Sequence, residues 1–150
     1  MNEFFKFEAD FVDSLRCIPM QIRLKLDTCG VKLKLAHWNQ FSAAERQTLL
    51  KMTCQTLEES QAYRQFLQTL VVEKTGTPAG ELPCDPKPSW ENETTIPESV
   101  RTKASEFGLI FTLEKWQNLT PLQRFALIKL SRSSHENRNF YPALQEFGLV

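Results

Sequence analysis

Residues 18–52 have the sequence IPMQIRLKLDTCGVKLKLAHWNQFSAAERQTLLKM, and residues 96–130 have the sequence IPESVRTKASEFGLIFTLEKWQNLTPLQRFALIKL. The two stretches align without a gap at a constant offset of 78 positions, and ten of the 35 aligned positions are identical. Trp38 aligns with Trp116, and Gly30 aligns with Gly108. Because these rare residues fall in register, similar composition alone does not explain the match. The pattern predicts a duplicated helical segment.

The repeat predicts how the 150 residues are organised. The first copy covers about 16–74 and the second about 96–147, and half of the eight prolines lie in a connector at 75–95. One copy is too short to bury an apolar face alone, so we expect both copies to pack as one pseudo-symmetric domain, 1–150. The predicted fold class is mainly α.

Helix boundaries are indicated by capping residues and by proline. Ser42, Thr56 and Thr120 are each followed three residues later by Glu or Gln, the capping-box pattern at a helix start. The helix from Thr56 is expected to reach about Lys74 and to bury a stripe that contains Ala62, Phe66, Leu70 and Val71. In the second copy proline interrupts the matching helix, so a short helix over about 142–147 is predicted instead.

One short segment in each copy has the pattern of a β-strand. Val31–Leu35 alternates apolar and basic residues, and Leu109–Phe111 lies at the matching place. We predict that these two segments pair with each other as a two-stranded sheet between the repeats.

Composition and charge exclude several classes of function. Eighteen basic residues balance eighteen acidic ones, so the formal net charge is zero and a non-specific nucleic-acid binder is not expected. No stretch has the ~18–20 uninterrupted apolar residues of a membrane span. The first fifteen residues have four acids and one base, unlike a secretory leader or transit peptide. We therefore predict a cytoplasmic protein that binds neither membrane nor nucleic acid.

The sequence contains no pattern typical of a catalytic or metal site. It has no glycine-rich phosphate loop and no serine-centred elbow. The four cysteines, Cys17, Cys29, Cys54 and Cys84, lie far apart and are interpreted as free thiols, buried where they face the core. A metal site formed by folding from His37 and Cys17, Cys29 and Cys54 remains an alternative, as does a Cys/His nucleophilic pair. We predict no catalytic residue, no metal and no cofactor.

One polar segment, between the Leu127–Leu130 stretch and the last helix, is a candidate binding site. It contains Arg132, Ser134, His135, Asn137 and Arg138. Both arginines have the geometry for bidentate contacts, and Ser134 is suited to cap a turn whose N–H groups favour an anion. The alternative is an ordinary solvated loop.

Charge is distributed unevenly along the chain. Lys115–Arg138 contains five bases and one acid, a net charge of +4, whereas Glu58–Glu98 contains eight acids and three bases, a net charge of −5. Opposite charge on two regions favours oriented binding of a protein partner.

Several long motifs resemble the nitrate-reductase-associated protein family of cyanobacteria. The similar stretches are Phe7–Phe11, Leu15–Met20, Lys25–Gly30, Thr120–Leu130 and Ser134–Asn137. The resemblance covers nearly the whole chain. It implies a small cytoplasmic protein linked to assimilatory nitrate reductase, a molybdenum enzyme with an iron–sulfur cluster, and required for the active enzyme to appear. It implies no catalytic or ligand residue.

Two functions follow from this resemblance and from the residues. In the first, the protein is not an enzyme but a chaperone-like maturation factor that binds immature nitrate reductase and favours its cofactor-competent state. In the second, it carries or inserts a metal, an iron–sulfur cluster or a molybdopterin piece for that enzyme, through its cysteines or the Arg132–Arg138 segment.

Overall fold

Helices form most of the structure, a computed structural model that describes residues 5–9, 18–132 and 139–150. The predicted mainly α class is confirmed. The described α-helices are α1 (Met20–Cys29), α2 (Leu35–Asn39), α3 (Ala43–Lys51), α4 (Leu57–Thr75), α5 (Glu98–Glu106), α6 (Leu113–Gln117), α7 (Pro121–Arg132) and α8 (Phe140–Glu146). Two short strands, β1 (Val31–Lys32) and β2 (Gly80–Glu81), and two 3₁₀ turns, Lys6–Glu8 and Ser89–Glu91, complete the described elements.

The described residues divide into two compact units. The first unit contains Glu8–Asp85, and the second contains Phe5–Phe7 and Pro86–Val150. The boundary between Asp85 and Pro86 lies inside the predicted connector. That the two units form one domain stays a prediction.

The first unit is organised around α1. A buried carboxylate stabilises the start of this helix, because Oε2 of Glu8 accepts a hydrogen bond from the Met20 N–H at 3.0 Å. The helix ends at Gly30, whose φ of 77° is left-handed, and the Gly30 N–H donates to the Leu26 carbonyl.

The core of the first unit forms where α1 packs against α4. Thr56 caps α4 through a complete capping box and Gly76 ends it, as predicted. The predicted stripe is only partly right: Leu70 and Val71 are buried, Phe66 is partly buried and Ala62 is exposed. The other buried apolar residues of this core are Ile22, Leu26, Cys29, Val31, Trp38, Phe41, Leu49, Leu50, Cys54, Tyr63, Leu67 and Ala79.

The predicted pairing of two strands between the repeats is wrong. β1 pairs antiparallel with β2, so that Val31 lies opposite Glu81 and Lys32 lies opposite Gly80. Both strands belong to the first unit, and β2 lies in the predicted proline-rich connector, 75–95. The partner was missed because the two residues of β2 are too few to show a periodic pattern.

The second unit is organised around α7, which packs against α5, α8 and the Ser89–Glu91 turn. α8 begins at Phe140, two residues earlier than predicted, with Pro142 in its first turn, where no intrahelical N–H bond is lost. The side chains of Phe5 and Phe7 contact Phe147 beyond its end. The largest fully buried side chains of this unit are Trp116, Phe125, Leu127, Ile128, Leu130, Phe140 and Leu144.

Element boundaries in the two units follow the 78-residue offset of the sequence. α2 spans 35–39 and α6 spans 113–117, while α3 begins at 43 and α7 begins at 121. The hydroxyl groups of Ser42 and Thr120 accept hydrogen bonds from the N–H groups of Glu45 and Gln123, three residues later. The side chains of Glu45 and Gln123 in turn accept hydrogen bonds from the N–H groups of Ser42 and Thr120. The duplication itself stays a prediction.

Candidate functional site

The predicted polar segment begins where α7 ends. Arg132 is the last residue of α7 and is exposed. Its position as the last residue of this twelve-residue helix places a cation at the helix C-terminus, where positive charge is favourable. Ser134, His135, Asn137 and Arg138 lie outside the described residues. The segment as a binding site therefore stays a prediction.

A buried arginine on α7 is the most densely hydrogen-bonded polar side chain described in the second unit. Arg124 is 2% exposed, and its Nε donates to the Trp90 carbonyl at 2.6 Å. Its Nη1 donates to the carbonyls of Trp116 at 3.2 Å and Leu119 at 2.7 Å. Glu93 Oε1 lies 3.9 Å from Nη2 and is exposed. The guanidinium thus joins α7 to the end of α6 and to the connector.

Further contacts hold the same stretch of connector. Trp116 Nε1 donates to the Asn92 carbonyl at 2.8 Å, and Gln117 Nε2 donates to the Glu93 carbonyl at 3.3 Å. The Trp90 ring lies edge-on to Phe125, with centroids 5.0 Å apart. Residues 90–93 are therefore fixed on the second unit, with the side chains of Glu91 and Glu93 facing solvent.

The first unit contains a related but more exposed arrangement. Arg46 Nε and Nη2 both donate to the Trp38 carbonyl, at 3.2 and 3.0 Å, and the guanidinium lies 5.3 Å from the Trp38 ring centroid. In both units an arginine eight residues after a buried tryptophan binds that tryptophan's carbonyl. Sequence reasoning aligned the two arginines but missed that Arg124 is buried. The spacing of eight residues from the tryptophan is the same in both units, so it carried no signal that Arg124 is buried and Arg46 is not.

Two thiols meet in the core of the first unit, a contact that sequence reasoning did not predict. Cys29 and Cys54 are both buried, and their thiol groups interact with each other. Sγ of Cys29 donates to the Leu26 carbonyl at 3.7 Å, and Sγ of Cys54 donates to the Lys25 carbonyl at 3.8 Å. The Cys29 thiol lowers the pKa of Cys54, and the positive charge of Lys25 lowers it further. The interaction with Cys54, together with burial, raises the pKa of Cys29.

Lys25 connects this thiol pair to the end of α3. Its Nζ donates to the carbonyls of Leu49, Leu50 and Met52 at 3.3, 2.8 and 2.7 Å. Burial lowers the pKa of Lys25. The Tyr63 hydroxyl is buried without a hydrogen-bond partner among the described residues, and burial raises its pKa.

The described residues do not unite the imagined metal ligands. Within 5–9, 18–132 and 139–150, no group of three or more His, Cys, Asp or Glu side chains is arranged to hold a metal ion. His37 instead accepts a hydrogen bond from the Lys34 N–H through Nδ1, at the start of α2. Cys17 lies outside the described residues, and Cys84 is exposed. Cys29 and Cys54 alone supply two ligands, fewer than a structural zinc site needs.

An open groove lies on the described part of each unit. In the first, a groove of about 620 Å³ lies between α4 and β2, and the ion pair of Arg64 with Glu81 lies along it. In the second, a smaller groove of about 390 Å³ is lined by Thr94, Thr95, Ile96, Arg101, Phe111, Thr112 and Leu113. Ile110, beside the second groove in sequence, is 82% exposed.

Comparisons with known proteins identify the family of this chain. No curated protein and no solved structure matches it. No helix in the described part of the chain is long and apolar enough to cross a membrane. The model of a protein family described as conserved nitrate reductase-associated protein matches residues 4–147. Since this match covers nearly the whole sequence, the chain belongs to the conserved nitrate reductase-associated protein family.

Proposed function

We propose that this protein binds assimilatory nitrate reductase and supports its assembly into the active, cofactor-loaded form. The observation that supports the proposal is the family match over residues 4–147, because the family is described as associated with nitrate reductase. Association requires a binding surface and no catalytic group, so the protein acts as an accessory factor and not as an enzyme.

The mechanism requires only a difference in affinity between two states of the reductase. A protein that binds the cofactor-competent conformation more tightly shifts the population toward it. The uneven charge of the chain supports this role, because a net charge of +4 over Lys115–Arg138 and −5 over Glu58–Glu98 orients an approaching partner. A cytoplasmic location is part of the proposal and agrees with Cys29 and Cys54 being free thiols and not a disulfide.

A pull-down tests the binding itself. The purified protein is immobilised and incubated with nitrate reductase that either lacks or contains its cofactors. We expect capture of the cofactor-free enzyme and at least tenfold less capture of the loaded enzyme. Failure to capture either form would overturn the proposal.

A charge-reversal scan tests the predicted binding residues. Arg132→Glu and Arg138→Glu are introduced in cells, and reductase activity is measured with the level of the accessory protein checked. We expect both variants to lower the activity several-fold, whereas Lys51→Glu, an exposed cation at the end of α3, has no effect. Unchanged activity in both arginine variants would exclude this surface while leaving the family association intact.

The thiol contact favours a second candidate function, direct handling of a metal or cluster. Cys29 and Cys54 lie together, and thiolates bind soft metals. Elemental analysis and an absorption spectrum of the purified protein test this candidate. A stoichiometric metal that is lost in Cys29→Ala and Cys54→Ala would support it, and a metal-free, colourless protein would exclude metal or cluster carriage. A separate binding assay with molybdopterin tests that ligand.

A further inference from the structure

The stretch Gly108–Phe111, between α5 and α6, resembles a strand that lacks a partner. Leu109 and Phe111 are each 6% exposed and Ile110 is 82% exposed, so burial alternates along the stretch as it does along a β-strand. Neither the N–H nor the carbonyl of Ile110 has a hydrogen-bond partner in the described parts of the chain, and the Gly108 carbonyl has none either.

The first unit shows what pairs with such a stretch. In the first unit, too, a left-handed glycine follows a helix: φ is 77° at Gly30 and 80° at Gly108. In both units a five-residue helix begins five residues after this glycine. Between them β1 pairs with β2, and the Leu82 N–H donates to the Gly30 carbonyl at 2.8 Å. The same local backbone arrangement therefore pairs with an antiparallel strand in the first unit, and in the second unit it pairs with no strand among the described residues.

The groove of about 390 Å³ beside this stretch indicates the charge of a partner. Ile96, Phe111 and Leu113 supply apolar atoms to its lining, and Arg101 supplies a cation. Arg101 is exposed, and its guanidinium has no ion-pair or hydrogen-bond partner among the described residues. An acidic side chain in the groove would form a charge-assisted hydrogen bond with this guanidinium.

We propose that Gly108–Phe111 binds an extended, acidic stretch of a partner polypeptide as an added antiparallel β-strand. Backbone hydrogen bonds to Gly108 and Ile110 supply affinity, and Arg101 selects an acidic side chain beside the strand. This inference rests on the proposed function, so the partner stretch belongs to nitrate reductase.

Binding of purified, cofactor-free nitrate reductase tests the inference. Ile110→Pro removes the N–H that a strand would use, and Arg101→Glu reverses the charge in the groove. We expect each variant to weaken binding at least tenfold. Leu57→Glu is the matched control, because Leu57 is 75% exposed in the first unit. The affinity of this variant for the reductase is expected to stay within twofold of wild type.

The outcomes separate the inference from the proposed function. Circular dichroism tests whether each variant is folded. If Ile110→Pro does not fold, Ile110→Glu replaces it, because this variant keeps the backbone N–H and its negative charge repels an acidic partner. Protection of the Ile110 amide from hydrogen exchange when the reductase is added would support strand addition. Wild-type affinity in the folded variants would overturn the strand site alone. No binding by the wild-type protein would overturn the proposed function.

Discussion

Arg124 shows how one buried charge stabilises a whole segment. Removing its guanidinium in Arg124→Met leaves the carbonyls of Trp90 and Leu119 without their donor, whereas the Trp116 carbonyl still accepts from the Leu119 N–H. Because each unsatisfied buried acceptor costs about 1–3 kcal/mol, we expect a loss of at least about 2 kcal/mol in the free energy of unfolding. Urea unfolding measures this loss.

Arg46→Met is the matched control for that variant. Arg46 is more exposed and binds a single carbonyl, so we expect a loss of only about 1 kcal/mol. Equal losses in the two variants would contradict the structural role assigned to Arg124.

Two left-handed glycines provide a second matched pair. An added Cβ at Gly30 would lie 2.7 Å from both the Leu82 carbonyl oxygen and Cys84 Sγ, whereas at Gly108 no atom of the described residues lies within 4 Å. Gly108→Ala should therefore cost only the backbone strain of about 1–2 kcal/mol, and Gly30→Ala clearly more. Melting temperatures of the two variants measure the difference. If Gly30→Ala were as stable as Gly108→Ala, Leu82 and Cys84 would have moved away from the added Cβ without loss of stability, contrary to this prediction.

The thiol pair leads to a prediction about titration. Cys29→Ala removes the neighbouring thiol, which is the main cause of the lowered pKa of Cys54. The thiolate of Cys54 should then form at higher pH, which the ultraviolet absorbance of thiolate measures during a pH titration. Cys84→Ala controls for the exposed thiol. An unchanged titration in Cys29→Ala would contradict the contact.

At the scale of the element, the capping boxes predict how stability depends on pH. The hydroxyl of Thr53, followed by the N–H groups of Gln55 and Thr56, lowers the pKa of Glu59 below its ordinary value of 4.5. A carboxyl whose pKa is lowered by folding contributes stability above its unfolded pKa, and this contribution is lost as the pH falls through the folded pKa. The melting temperature should therefore decrease as the pH is lowered below about 4.5.

Glu59→Gln tests this assignment. The amide keeps an acceptor for the N–H groups but has no charge to titrate, so the melting temperature should depend less on pH in that range. Glu58→Gln is the control, since no described cap depends on it. An identical pH dependence in wild type and Glu59→Gln would exclude the capping box as its source.

Elements set by local chemistry were predictable from the sequence, and those set by distant contacts were not. The starts of α3, α4 and α7 follow from Ser42, Thr56 and Thr120, whose caps involve residues only three positions away. β2 was missed because its formation depends on β1, about fifty residues earlier. The contact of Cys29 with Cys54 was missed for the same reason, because α2 and α3 lie between them in sequence.

At the scale of the whole molecule, the charge asymmetry predicts a salt dependence. If the regions of net charge +4 and −5 orient the approaching reductase, added salt should lower the association rate constant and change the dissociation rate constant much less. Rates measured at rising ionic strength by surface binding test this expectation. An association rate independent of salt would contradict electrostatic orientation.

We also propose that the two units derive from one duplicated segment. Equivalent helix boundaries and the shared arginine–tryptophan contact support this proposal. An experimental structure tests it: the backbone of 20–51 should superpose on 98–129 without a gap. A superposition that requires insertions would exclude a simple duplication.

The three tryptophans are divided between the units: Trp38 lies in the first, and Trp90 and Trp116 lie in the second. Intrinsic fluorescence can therefore follow each unit separately. In Trp38→Phe all tryptophan emission comes from the second unit, and in the double variant Trp90→Phe/Trp116→Phe it comes from the first. Coincident unfolding curves would show that the halves melt cooperatively, and separated curves would assign a distinct stability to each.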